Sequence, residues 1–120
     1  MVRTHHDLEV WRDGIALVKQ VYAITARFPA DEKFGLVVQL RRAAVSVPSN
    51  IAEGAARSSR KDFARFIAAA RGSLAEIETQ LTIANELGFC VAADLPVKEV
   101  DSLFARLNKL HQRLSLPPPY

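Results

Sequence analysis

The sequence predicts an all-α protein, an up-down-up-down antiparallel four-helix bundle. Three observations predict it. Apolar residues recur at helical spacing in four separate runs. Cap and breaker residues separate the runs by short connections. No stretch shows the alternation of a strand. At 120 residues the chain is one domain. A chain of this size buries roughly two thirds of its unfolded surface and needs no disulfide or metal staple.

The first helix is expected over about 7–28. Leu8, Trp11, Ile15, Val18 and Tyr22 follow one another three or four residues apart and form one stripe. A second stripe, Gly14, Leu17, Val21, Ile24 and Phe28, runs beside it. Pro29 ends the helix by disfavouring helical geometry at Phe28. Nearly half the circumference is apolar, more than a bundle helix needs. Leu17, Val21 and Ile24 are therefore assigned to structure or to an interface between copies.

The second helix, about 32–56, opens on Asp31 and Glu32, whose charge suits a helix N-terminus. Leu36, Leu40, Ala43 or Ala44, Val47 and Ile51 form its stripe. Pro48 lies inside that run and predicts a kink near 44–48 rather than a stop. The third helix, about 60–88, is capped by Ser59 with Asp62 three residues on. Its stripe is Phe63, Phe66 or Ile67, Ala70, Leu74, Ile77, Leu81 and Ala84, and Gly88 closes it. The fourth, about 95–114, starts at Asp94-Leu95-Pro96 and carries Val97, Val100, Phe104, Leu107 and Leu114, widened by Leu103 and Leu110. The bundle domain spans 1–116, and residues 117–120 form an extended Pro-rich tail.

Charge is segregated along the chain. Residues 33–75 hold eight cations against Glu53 and Asp62, a net +6, so the rest carries −3. Arg57, Arg60, Lys61 and Arg65 crowd the turn between the second and third helices, an arrangement that attracts phosphate backbones. No base-reading motif accompanies them, so sequence-specific readout is not expected. Arg41 and Arg42 fall level with Glu76 and Glu78. They pair with those acids or stay exposed as part of the basic surface.

Ser46 to Gly54 places Pro, Ser, Asn and Gly inside a helical run. Such conflicts between propensity and pattern mark strained or functional positions. Pro48, Asn50 and Glu53 are read as a polar device that fixes register or oligomeric state. Ser46 is placed to satisfy carbonyls freed by Pro48. Arg71 and Gly72 interrupt the third helix, and Gly72 is expected at a close helix approach, either within the protomer or between subunits.

Other chemistry is missing from the sequence. There is no phosphate-binding Gly-rich loop, no Cys-x-x-Cys and no His-Glu-x-x-His. Cys90 is a lone cysteine, and His5 and His6 are adjacent and do not share a helix face. No catalytic residues, metal ligands or cofactors are assigned. No run is long and apolar enough for a transmembrane helix, and residues 1–7 lack the apolar stretch of a secretory leader. A cytoplasmic, non-membrane setting is expected.

Several of these residues are also a signature. Asp7-Leu8-Glu9-Val10-Trp11, Phe28-Pro29, Gln39 through Gly54, Phe63, Arg65-Phe66 and Ala70 through Leu81 resemble a known family. It is the four-helix bundle family encoded in intervening sequences of bacterial 23S rRNA genes. Distant relatives are the accessory variability proteins of diversity-generating retroelements. The resemblance covers roughly residues 7–90, and the fourth helix matches in pattern alone. It implies a bacterial cytoplasmic protein without enzymatic activity that assembles as a barrel-like homopentamer. The retroelement relatives bind nucleic acid and contact a reverse transcriptase. Arg41, Arg42, Arg57 and Arg65 are the family-like basic positions, while Pro48, Asn50, Glu53, Arg71 and Gly72 are family-like structural positions. The functional expectation is a homo-oligomeric bundle that binds RNA or DNA through its basic end. The alternative is a scaffold whose apolar stripes bind protein partners.

Overall fold

The computed structural model describes residues 8–117. His5, His6, Asp7 and the tail beyond Pro117 lie outside the described residues. Four helices and no strand occur among those described: α1 (Glu9–Thr25), α2 (Leu36–Ala55), α3 (Arg60–Glu86) and α4 (Val97–Ser115). Short 3-10 turns at Ala30–Glu32 and Ala92–Asp94 precede α2 and α4. Each helix packs on its sequence neighbours, most extensively α2 on α3, and α1 meets α4 over a thinner seam. The result is a rod of 55 × 22 × 19 Å.

The ends of the helices follow from local chemistry. Ser59 adopts extended backbone geometry, and its hydroxyl accepts the Asp62 amide at 3.0 Å, as the capping pattern predicts. Gly88, at φ +79°, ends α3. The Phe89 amide reaches back to the Ala84 carbonyl at 2.9 Å and the Gly88 amide to Asn85 at 3.0 Å, a paired closure that needs a left-handed residue. The start of α2 differs from expectation. Asp31 and Glu32 sit in the preceding turn, and the helix begins at Leu36. Glu32 still serves that N-terminus, because its carboxylate accepts the Leu36 amide at 3.2 Å. Pro96 is the N-cap of α4 rather than part of its first turn.

The core takes the second stripe of α1, not the first. Gly14, Leu17 and Val21 face inward, with Val10, Thr25 and Phe28. Leu17 and Val21 are 1% and 0% exposed and belong to the protomer's own core, so neither is surface open to a second copy. Ile24 is half-buried against that core. Within the other stripe Trp11 and Val18 are half-buried, while Ile15 and Tyr22 are 40% and 42% exposed. The physical reason is Gly14. A Cβ there would lie 3.3 Å from the Pro48 ring, so a glycine lets α1 settle on the buried proline of α2. Pro48 does not stop α2; it is the surface on which α1 rests.

Ile51, Ile67, Leu74, Ile77, Leu103 and Leu107 fill the middle of the rod. Of the two options on α3, Ile67 is the core residue and Phe66 stays at the rim. Phe28 meets Phe89 with ring centroids 5.7 Å apart and closes the core at the end opposite the α2–α3 turn.

Candidate nucleic-acid interface

The α2–α3 turn is built by a close approach. Gly54 is buried, and a Cβ on it would lie 2.8 Å from Phe66 Cβ and 2.9 Å from Phe63 Cδ1. The two helices therefore converge just before the chain turns through Arg57, Ser58 and Ser59. That convergence brings the side chains of the turn together around Phe66. The Arg57 guanidinium carbon lies 4.8 Å from the Phe66 ring centroid, and that of Arg65 lies 4.7 Å from it. Both distances are within the range of cation–π attraction.

Two acids share this end. Glu53 stands 3.8 Å from Arg57, and Asp62 stands 3.6 Å from Arg65. All four side chains are substantially solvated, so each pair contributes under about 1 kcal/mol. Arg60 donates to the Arg113 carbonyl in the last turn of α4, where a cation suits the negative end of the helix dipole. Lys61 is exposed and has no partner among the described residues. Over residues 53–65 four cations face two acids, a net +2. The carbonyl that Arg60 reaches belongs to a residue 53 positions away along the chain, so sequence spacing does not reveal this contact between α3 and α4.

Arg41 leaves the basic set. Neither Glu76 nor Glu78 pairs with it. Its Nε donates to the Thr25 hydroxyl at 2.9 Å, a second nitrogen lies 3.4 Å from the Tyr22 carbonyl, and its guanidinium stacks 4.4 Å from the Tyr22 ring. The buried Thr25 hydroxyl in turn donates to the Val21 carbonyl at 2.7 Å. Arg41 thus ties α2 to the C-terminal turn of α1. Arg42 is exposed on α2, away from the turn, with no partner among the described residues.

The polar positions of α2 form a network with α3. The hydroxyls of Ser46 and Ser73 are hydrogen-bonded, and Asn50 Nδ2 donates to the Ser46 carbonyl at 2.8 Å. Ser46 therefore spends its hydroxyl on the neighbouring helix, not on carbonyls freed by Pro48. Asn50 bonds within its own helix, to Ser46, whereas Glu53 stands apart with Arg57. Arg71 donates to Asn108 at 2.8 Å and joins α3 to α4. Gly72 is not at a close approach within the protomer, since a Cβ there would meet nothing within 4 Å.

A cavity of about 400 Å³ lies at the far end among Ile24, Arg27, Phe89, Cys90 and Asp94. Arg27 and Asp94 face each other across it at 3.6 Å. Burial, and then the negative charge of Asp94, push the Cys90 thiol above its ordinary range, which leaves it a poor nucleophile. No group of three or more His, Cys, Asp or Glu gathers among the described residues. Among the described residues no helix is long and apolar enough to cross a membrane.

The family model described as 23S rRNA-intervening sequence protein matches residues 6–115 of the chain. No curated protein matches it.

Proposed function

We propose that this chain, which belongs to the 23S rRNA-intervening sequence protein family, is a non-enzymatic accessory protein that binds RNA or DNA as a cytoplasmic homo-oligomer. The observation that carries the reading is the gathering of Arg57, Arg60, Lys61 and Arg65 at one end of the rod, where Glu53 and Asp62 are the acids paired with them among the described residues. Cations at a narrow end suit contact with phosphates and are indifferent to base sequence. Arg42 extends the surface along α2, while Arg41 is structural.

In this reading the helices run up-down-up-down and five bundles assemble around one axis, as the resemblance implies. Five copies would carry +15 and repeat the basic end around a ring. Residual apolar surface supports self-association. Val38 and Val45 flank Arg41 at spacings of three and four on α2, beside the exposed Tyr22 and Ile15 of α1. The same surface favours the second reading, a scaffold that binds partner helices and no nucleic acid.

Charge reversal of Arg57, Arg60, Lys61 and Arg65 together separates the two. The first reading expects loss of RNA and DNA binding in a gel-shift titration with the helical content intact; undiminished affinity would overturn it. Light scattering on the purified protein tests assembly, and a 13.3 kDa particle at micromolar concentration would refute the oligomer.

A further inference from the structure

We propose that Arg57 and Arg65, both stacked on the Phe66 ring, form a two-pronged clamp for neighbouring phosphates of a nucleic-acid backbone, with Phe66 as the positioning residue. The proposal rests on the nucleic-acid reading and specifies which groups make the contact.

The arginines of this chain differ in what they do with their N–H donors. Arg41, Arg60, Arg71 and Arg106 spend donors on Thr25, the Arg113 carbonyl, Asn108 and Asp13. Arg57 and Arg65 spend none within the described residues. Their acids stand at 3.8 and 3.6 Å, beyond hydrogen-bond length, and hold the charge without occupying the donors. Each guanidinium is held over the ring by its charge, and because its N–H groups make no hydrogen bond among the described residues its edge is free. That edge is the fork that matches a phosphate in two parallel hydrogen bonds.

Position supplies the rest. Arg57 comes from the turn after α2 and Arg65 from the second turn of α3, yet both centre on one ring. Phe66 is itself seated by the Gly54 approach and is half-buried. Two long side chains are thereby held before any ligand arrives, which removes part of the ordering cost of binding. Glu53 and Asp62 are solvated and weakly coupled, so a phosphate can displace them. Because the ring already carries two guanidiniums, it is not a platform for a nucleobase. The clamp therefore reads backbone and not sequence.

The probe is a fluorescein-labelled RNA duplex of about twenty base pairs, titrated by anisotropy against the full chain. The clamp predicts that the double variant Arg57→Lys with Arg65→Lys, which keeps every charge, weakens binding about tenfold, from the loss of two pre-ordered forks. Phe66→Leu is expected to do the same without touching a charge. The lysine variant leaves Phe66 and its packing in place, so it decides the matter should Phe66→Leu perturb the fold. Wild-type protein that binds the duplex, with lysine variants that bind equally well, overturns the clamp and leaves the broader reading standing. Wild-type protein that fails to bind overturns both.

Discussion

Gly54 and Gly72 occupy the same helical hairpin and meet opposite surroundings. Gly54 has no space for a Cβ, with Phe66 Cβ and Phe63 Cδ1 inside 3 Å of where it would lie. Gly72 has nothing within 4 Å. Gly54→Ala should therefore lower stability by about 1–3 kcal/mol through overpacking. Gly72→Ala should raise it by up to about 1 kcal/mol, because only the backbone entropy of a mid-helix glycine is removed. Urea denaturation of the two variants checks both signs, and a stabilised Gly54→Ala would contradict the close approach. Both glycines are visible in the sequence, but only their neighbours distinguish them. The sequence predicts a close approach at Gly72, intramolecular or between copies; within the protomer the close approaches are at Gly54 and at Gly14 against Pro48. A glycine reports that space or freedom is needed and not which neighbour needs it.

At the scale of the element, stripes and caps were legible and the choice of face was not. Ser59, Gly88 and the apolar positions of α3 stand where their chemistry predicts. On α1 two adjacent stripes compete, and periodicity alone does not say which one faces the core. Tertiary packing chose the second stripe, because a glycine within it admits the Pro48 ring. Arg41 has the same lesson. Its level with Glu76 and Glu78 suggested an ion pair, but the hydroxyl and carbonyls at the end of α1 claimed it. Removing that tie by Arg41→Ala should destabilise the bundle by about 1–2 kcal/mol, the cost of leaving Thr25 and its neighbours without a charged donor. Nucleic-acid affinity should stay near the wild-type value if Arg57 and Arg65 carry the contact; thermal melts and gel shifts on one preparation measure both.

The α1–α4 seam has its own signature. Gln20 donates to the Glu99 carboxylate at 3.1 Å, and that bond holds the Glu99 carboxyl below its ordinary range. The folded pKa lies under the unfolded one. The stabilisation is present above the unfolded carboxylate range and is lost as pH falls through the folded value. Glu99→Gln should flatten the acid side of the melting-temperature profile slightly, and an unchanged profile would show that the bond contributes nothing in solution.

For the whole molecule, the formal charge of +3 says less than its placement. The four-helix architecture and the basic hairpin could be read from periodicity and from where the cations fall. The contact of Arg60 with the Arg113 carbonyl and the seating of two arginines on Phe66 could not, since both depend on chain segments brought together by the fold. What emerges is a 55 Å rod with four cations, Arg57, Arg60, Lys61 and Arg65, gathered at one narrow end and a continuous apolar core behind them. The most direct test is the salt dependence of duplex RNA binding by the unmodified protein. With two to four phosphates neutralised per protomer, log affinity should fall against log salt with a slope of about −2 to −4. An affinity that does not change between low and physiological salt would contradict a phosphate-binding end.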